Sequence, residues 1–318
     1  MNIESSNLAN HPAGTRGQVA IVAPGAEASG TLGLIAGSGR FPALVLEGAQ
    51  RAGLRVVVVG IRGWCDPTLA EKADAFYHAG VAKLGRWIRV FRRERASQAI
   101  MAGQVRKSQM LALPRWRQWL AYCPDWTSIK VWYFSAADRR NDTLLRAVAD
   151  EMAMKGIHLV DSTAYCREAM APDGALTRRG LSAEQTADAE LGWVVAKEMG
   201  RLDVGQSVAV KDKDVIAVEA MEGTDAMIAR AGTLCKKGGW TLIKVAKPEQ
   251  DMRFDVPTIG PDTIARLFQA RAGALVIEAG RTLVIDREQT IALAEKHGIV
   301  VVGRADARDD GPVQKCPM

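Results

Sequence analysis

Residues 31–60 carry the pattern that most restricts the fold of this chain. A short apolar run at 32–36 is followed by the loop Gly37-Ser38-Gly39, by a helical rhythm at 43–52 and by a second apolar run at 55–60. Two buried strands joined through a helix are most simply connected as a right-handed parallel crossover. The sequence therefore predicts an α/β protein whose N-terminal domain contains a Rossmann-like parallel sheet.

The loop Gly37-Ser38-Gly39 is a candidate cradle for a phosphate or a nucleotide, because glycine lets the backbone approach a ligand closely. Pro42 stands where a dinucleotide-binding site has its third glycine, and no acidic residue follows the second strand. A nucleotide-binding oxidoreductase is therefore kept as an alternative function, and a turn without a ligand is the structural alternative.

The domain organisation follows from length and local composition. A chain of 318 residues is long enough for two domains with separate cores. Residues 161–185 combine proline, glycine and scattered polar residues, and are the expected linker. We expect a flexible extension at 1–30, an N-terminal nucleotide-binding α/β domain at 31–163, a C-terminal α/β catalytic domain at 164–305 and a tail at 306–318. In the second half the predicted elements are helices at 183–199, 226–229, 261–271 and 287–297, and strands at 207–211, 215–220, 240–246, 274–278, 282–285 and 299–302.

A strand–turn–helix motif at 215–229 suggests a catalytic corner. Thr224 is a good N-cap for the helix, and the preceding strand delivers Glu219, Glu222 and Asp225 to the helix N-terminus. That end of a helix suits phosphate, and carboxylates suit Mg²⁺ or Mn²⁺. The simpler interpretation is that Asp225 only complements the helix dipole.

A second group of charged residues follows the predicted strand at 240–246. Asp251, Arg253 and Asp255 alternate, so an extended segment would place them on one face, close in sequence to Lys244 and Lys247. Acids would hold a divalent cation, and the basic side chains would neutralise a phosphate. The alternative is a surface segment with cross-paired charges, which would contribute little stability.

Basic and aromatic residues are interleaved at 83–126. The segment 83–95 is predicted to be a basic amphipathic helix whose Trp87 and Phe91 turn to the core, whereas the tryptophans of 106–126 favour contact with lipid. A non-catalytic module that binds acidic lipid or RNA is the second alternative function. The slightly acidic second half of the chain argues against nucleic acid as a partner there.

Composition excludes several classes of protein. No apolar run approaches the ~20 residues that span a bilayer, and no signal peptide is recognisable, so we expect a cytoplasmic protein. The five cysteines lack the spacing of a zinc site or a disulfide framework. The four histidines are isolated, which argues against a His-based metal site or a Ser-His-Asp triad.

Five motifs occur in an order that strongly resembles one enzyme family. They are Gly33-Leu34-Ile35-Ala36-Gly37-Ser38-Gly39, residues 200–206, residues 218–226, Lys244-Val245-Ala246-Lys247-Pro248 and Asp255-Val256-Pro257-Thr258-Ile259-Gly260. The family is the second, non-calcineurin-like type of bacterial UDP-2,3-diacylglucosamine pyrophosphatase in the lipid A pathway. The resemblance covers residues 31–303. The sequence departs from the family pattern at three places. These are the N-terminal extension, a longer and more aromatic segment at 106–140, and Val256, where leucine is more usual.

This resemblance implies Mg²⁺-dependent hydrolysis of UDP-2,3-diacylglucosamine to UMP and 2,3-diacylglucosamine 1-phosphate. It also implies two α/β domains with the substrate between them, and a homodimer. From the tryptophans of 106–126 and the charge balance we expect peripheral contact with the inner membrane surface and no nucleic acid. Mg²⁺ is the expected cofactor, with Mn²⁺ as the substitute. The expected catalytic residues are Asp225, Arg253, Lys244 and Lys247; the expected metal ligands are Asp225, Glu219, Glu222 and Asp255; and the expected substrate-binding residues are Gly37, Ser38, Gly39, Gln104, Thr224 and Thr258.

Overall fold

A computed structural model describes residues 30–105, 123–132, 141–248 and 250–306, with residues 141 and 142 represented by their backbone. The expectations for the extension at 1–29, for most of the aromatic segment at 106–140 and for the tail from 307 lie outside these ranges. Among the described helices, none is long and apolar enough to cross a membrane.

The N-terminal sheet is built as the crossover pattern predicts. Its five strands are ordered β3-β2-β1-β4-β5, and every neighbouring pair is parallel. The chain reverses its direction of winding between β1 and β4. The gap beyond the carboxyl ends of these two strands is therefore the topological switch point, and sheets of this kind bind ligands there. The strands are β1 (Thr31–Ala36), β2 (Arg55–Ile61), β3 (Ala75–Ala79), β4 (Gln98–Ala102) and β5 (His158–Leu159).

Helices cover both faces of this sheet. Valines alternate along β2, so Val56 and Val58 pack with Val45 and Leu46 on one face. On the other face Trp87 and Phe91 are buried, as predicted for the basic helix. The helices of this half are α1 (Phe41–Arg51), α2 (Leu69–Lys72), α3 (Leu84–Arg93), α4 (Trp126–Lys130) and α5 (Asn141–Met154).

The C-terminal half forms a mixed six-stranded sheet with the order β6-β13-β11-β9-β7-β8. Strands β9, β11 and β13 are parallel to one another, whereas β7 is antiparallel to both β9 and β8. A separate pair, β10 and β12, is parallel. The strands are β6 (Gly174–Ala175), β7 (Ser207–Lys211), β8 (Asp214–Val218), β9 (Trp240–Lys244), β10 (Thr258–Ile259), β11 (Ala272–Glu278), β12 (Leu283–Val284) and β13 (Val300–Arg304).

Four helices sandwich the second sheet. Trp193 of α6 packs with Val208 and Ile243 on one face, and Met227 of α7 packs with Leu242 and Leu275 on the other. The helices are α6 (Ala183–Arg201), α7 (Thr224–Leu234), α8 (Pro261–Gln269) and α9 (Arg287–Lys296). Predicted and observed elements agree in type and differ by one to a few residues at their ends. The predicted linker contains a 3-10 turn at Arg167–Ala169, strand β6 and the start of α6.

The two halves share apolar contacts. Val256, Leu283 and Ile285 of the second half are buried in the cluster that contains Leu32 and Val45 of the first half. A salt bridge joins Arg40 Nε, at the end of the glycine loop, to Asp286 Oδ1 at 3.4 Å. The carboxyl edge of the first sheet therefore faces the loops around β10 and β12.

Candidate active site

Three strands of the second sheet bring the predicted acids and lysine to one edge. In the ladder Ser207 is paired with Lys244, and the neighbouring pair of β7 and β8 is Val208 with Val218. Because β7 runs against both neighbours, its first residue lies beside the carboxyl ends of β8 and β9. The amide of Glu219, one residue beyond β8, donates to the carbonyl of Ser207 at 2.9 Å.

Glu219 is the acid most firmly held at this edge. Glu219 is 7% exposed, and its Oε1 accepts a hydrogen bond from Thr224 Oγ1 at 3.0 Å. The Thr224 hydroxyl also lies 3.4 Å from Ser207 Oγ. Glu219 Oε2 is buried and has no hydrogen-bond partner within the described ranges. A buried carboxylate oxygen without a partner is costly, so this atom is available to a ligand.

The prediction that Thr224 is the N-cap is wrong. The capping residue is Gly223, whose φ of 84° is in the region that favours glycine, and Thr224 is the first residue of α7. The hydroxyl is therefore used to orient Glu219 and leaves the helix N-terminus without a side-chain cap. Those unused amides still face the same edge of the sheet.

Lys244 lies inside the acid cluster. Lys244 is 7% exposed, and its Nζ donates a hydrogen bond to the carbonyl of Thr258 at 3.0 Å. Burial is the largest influence on the pKa of this ammonium group and lowers it. The carboxylates of Glu219, Asp255 and Asp225 oppose that shift through their charges. These four predicted residues therefore share one electrostatic environment.

Asp225 occupies the first turn of α7 and, like Asp255, is an exposed acid of the cluster. Its side chain is 53% exposed, and its Oδ1 lies 3.3 Å from Arg266 Nε. A carboxylate at this position combines access to solvent with the positive end of the helix. Arg266, on α8, was not predicted as a site residue, and its contact across two helices leaves no local signal in the sequence.

Other predicted residues have local partners. Glu222 Oε1 is 2.6 Å from Arg230 Nη2, and Arg253 Nη2 is 2.6 Å from Asp251 Oδ2. Lys247 Nζ is paired with Asp203. Each of these three residues therefore has an ion-pair partner of its own.

The expectation of an extended segment at 251–255 is wrong. The amides of Phe254 and Asp255 both donate to the carbonyl of Asp251, at 3.0 and 3.2 Å, so this stretch is a tight turn. Within this turn the side chains of Asp251 and Arg253 pair with each other. Asp255 Oδ2 accepts a hydrogen bond from Gln250 Nε2 at 2.7 Å.

A buried ionic network supports the loop that follows Lys244. Glu278 is fully buried at the end of β11, and its Oε2 accepts from the amide of Ala246 at 2.7 Å. Its Oε1 binds Lys197 Nζ at 2.7 Å. The network fixes the backbone two residues beyond Lys244. Sequence reasoning missed Glu278, although an acid that ends a buried strand was a visible signal.

The glycine loop follows β1 and lies at the switch point of the first sheet. Ser38 and Gln104 exchange backbone hydrogen bonds at 3.0 Å, and Ser38 Oγ also donates to the carbonyl of Gln104 at 2.8 Å. A Cβ on Gly37 would lie 2.9 Å from that carbonyl oxygen, so only glycine fits this close approach. Gly39 has a φ of 94° with open space around it. The predicted nucleotide-binding residues are thus brought together.

A groove of about 720 Å³ lies between α1 and α9 and is lined by Glu47, Arg51, Asp286 and Arg287, among others. None of the predicted site residues lines it. Its size alone does not identify an active site, and the chemistry of the Lys244 cluster is the stronger indication.

Gly205→Ala should disturb the site through Glu219. An added Cβ at Gly205 would lie 2.1 Å from the Glu219 carbonyl oxygen, so one of the two backbones must move. We expect the free energy of unfolding to fall by about 1–3 kcal/mol. We expect the catalytic activity of the site to fall as well, because Glu219 is displaced. The matched control is Gly180→Ala, where a Cβ would meet nothing within 4 Å. Thermal denaturation of both variants checks the result, and equal melting temperatures would contradict it.

The fold and the site define a two-domain α/β protein with an edge suited to an anionic ligand. The sequence matches the LpxI N-terminal domain family over residues 31–169 and the LpxI C-terminal domain family over residues 172–302. It is 36% identical over 281 residues to the UDP-2,3-diacylglucosamine pyrophosphatase LpxI of Caulobacter vibrioides, covering 86% of this chain and 96% of that relative.

The chain therefore belongs to the LpxI family. The family resemblance, the assignment to an enzyme family and the fold of two α/β domains are confirmed. The relative is a pyrophosphatase by name, and neither the oxidoreductase nor the non-catalytic binding module gains support from it.

Proposed function

We propose that this chain hydrolyses the pyrophosphate bond of UDP-2,3-diacylglucosamine to UMP and 2,3-diacylglucosamine 1-phosphate in lipid A biosynthesis, in the cytoplasm. One observation carries the proposal, which is that Glu219 and Lys244 lie at one sheet edge, with Asp225 and Asp255 near enough to act on the Lys244 charge, in a member of the LpxI family. A pyrophosphate diester carries two negative charges that repel a hydroxide. An edge with a buried cation and acids of different exposure can reduce that repulsion and orient water.

The residues of the cluster would divide the work. Asp225 is accessible and would orient the attacking water or accept its proton. Lys244 would neutralise charge on the phosphate that develops during the attack. Thr224 would keep Glu219 in place through the hydrogen bond from its hydroxyl. Thr258 would act through its carbonyl, which already fixes Lys244 Nζ.

A Mg²⁺ ion, or Mn²⁺ in its place, fits this donor set. Within the described ranges no three His, Cys, Asp or Glu side chains are grouped to hold a metal ion. Mg²⁺, however, is usually held by one or two carboxylates together with substrate phosphates. Glu219 Oε2 lacks a partner and Asp225 is exposed, so these two would hold it, with Asp255 as a further ligand. When bound, the ion would supply charge neutralisation at the phosphate oxygens.

The remaining predicted residues have supporting roles. Gly37, Ser38, Gly39 and Gln104 would contact the uridine nucleotide across the crevice. Lys247 and Arg253 would bind phosphate only after a change in their pairing with Asp203 and Asp251. Glu222 is the weakest candidate for a metal ligand because Arg230 holds its carboxylate. The resemblance also supports a homodimer, which analytical ultracentrifugation would test.

The direct test is incubation of the purified chain with UDP-2,3-diacylglucosamine, with UMP release as the readout. We expect UMP in the presence of Mg²⁺, no UMP after treatment with EDTA, and full recovery when excess Mg²⁺ or Mn²⁺ is restored. Residual release in EDTA equal to that in Mg²⁺ would contradict the metal assignment. No release under any of these conditions would contradict the function itself.

A further inference from the structure

One surface of the N-terminal domain combines exposed arginines with exposed tryptophans. Helix α3 contains four arginines and no acid, with Arg86, Arg89, Arg92 and Arg93 exposed. Its apolar residues, which include Leu84, Trp87 and Phe91, are buried against the sheet. At 100° per residue the four arginines fall on the opposite side of the helix from this apolar face.

Helix α4 lies on the arginine side of α3. A Cβ on Gly85 would lie 2.8 Å from Thr127 Oγ1 and 3.0 Å from Asp125 Oδ2, so α4 covers this position. Gly85 is one helical turn before Arg89 and two turns before Arg92, and therefore shares their side of the helix. The amide of Arg86 also donates to Asp125 Oδ2 at 3.2 Å. The carboxylate of Asp125 is thus engaged as a cap.

Two tryptophans, one in α4 and one just beyond its C-terminal end, are unusually exposed. Trp126 is 79% exposed and Trp132 is 49% exposed. Tryptophan is seldom left so open on a protein surface, and an amphipathic indole beside basic residues is typical of a membrane–water interface. The four α3 arginines beside these indoles are all exposed, so their guanidinium groups face solvent.

This surface also faces the correct side of the sheet. In a parallel crossover the helix begins at the carboxyl edge of the strand that precedes it. The first turn of α3, and α4 packed on it, therefore lie at the edge that carries Ser38 and Gln104. A surface placed there would bring the crevice close to whatever it binds.

We propose that the face formed by Arg86, Arg89, Arg93, Trp126 and Trp132 is a docking surface for a bilayer that contains anionic lipid. The inference rests on the proposed function, because a diacylated substrate resides in a membrane. The arginines supply attraction to the headgroups, and the two indoles insert at the interface. An uncharged bilayer offers only the second interaction, so it binds much more weakly.

The test is co-sedimentation of the full chain with vesicles of phosphatidylcholine alone or mixed with phosphatidylglycerol. The wild type should bind the anionic vesicles, and the triple variant Arg86→Gln/Arg89→Gln/Arg93→Gln should bind them about a hundredfold more weakly. The matched control, Arg178→Gln/Lys236→Gln/Lys237→Gln, removes the same charge from exposed positions of the other domain and should bind like the wild type. Equal loss in both variants, or in neither, would overturn the assignment.

Two further measurements separate the alternatives. Brominated lipid should quench the tryptophan fluorescence of the wild type, and Trp126→Ser should remove much of that quenching. If the arginine variant loses binding to RNA but keeps binding to vesicles, the face is a nucleic-acid surface and the proposal is wrong.

With substrate dispersed in detergent, all variants should release UMP at the wild-type rate. Absence of UMP from every protein would refute the function alone, because vesicle binding is measured without substrate.

Discussion

Asp225→Asn should lower the rate of UMP release by about a thousandfold and leave the fold intact. The substitution keeps the size of the side chain and removes the charge that would bind metal or orient water. Because the side chain is half exposed and contacts Arg266 at the surface of two helices, little stability depends on it. The rate should be measured with saturating substrate and Mg²⁺, and the melting temperature in parallel.

Asp262→Asn is the matched control for this prediction. Asp262 is also an exposed acid in the first turn of a helix, in this case α8. If Asp225 acted only by complementing a helix dipole, the two variants should behave alike. Wild-type activity in Asp225→Asn would remove the central residue from the proposed mechanism.

Lys244→Met should reduce both activity and stability. The loss of the cation should slow hydrolysis by about a hundredfold to a thousandfold, as for the removal of other groups that stabilise developing negative charge. It should also lower the free energy of unfolding by about 1–3 kcal/mol, because the buried Glu219 carboxylate loses a nearby ammonium and the Thr258 carbonyl loses its donor. Chemical denaturation and the UMP assay measure the two effects separately.

A second substitution distinguishes charge from packing in this variant. In Lys244→Met/Glu219→Gln both buried charges are removed, while the oxygen of the introduced amide could still accept from Thr224. Most of the lost stability should return, whereas activity should remain low. A double variant as unstable as Lys244→Met alone would mean that the lysine acts through its hydrogen bond to Thr258 and through packing, not through its charge.

The features that could be predicted from sequence are those fixed by periodic burial. Apolar runs located the strands, and strands that pair side by side bring their ends together. Glu219 and Lys244 were therefore predictable, because each ends or follows a buried strand. The glycine loop was predictable for the same reason, since it follows the central strand of a parallel sheet.

The local ion pairs are the part of the site that spacing did not predict. Sequence spacing made Glu222 and Arg253 site candidates, and in the structure they form ion pairs with Arg230 and Asp251. A single sequence cannot rank such pairings, because charged side chains are long and each has several neighbours. Arg266 was missed for the converse reason, since its contact with Asp225 depends on how two helices pack.

The burial of Val256, Leu283 and Ile285 among the side chains of the first sheet has a consequence for how the chain folds and evolves. Either half alone would present its apolar side of this contact to water, so the two halves should unfold in one cooperative transition. A functional chimera of two relatives would need matching side chains on both sides of the contact. Selection then acts on the pair of domains as one inheritable unit, even though each has its own sheet.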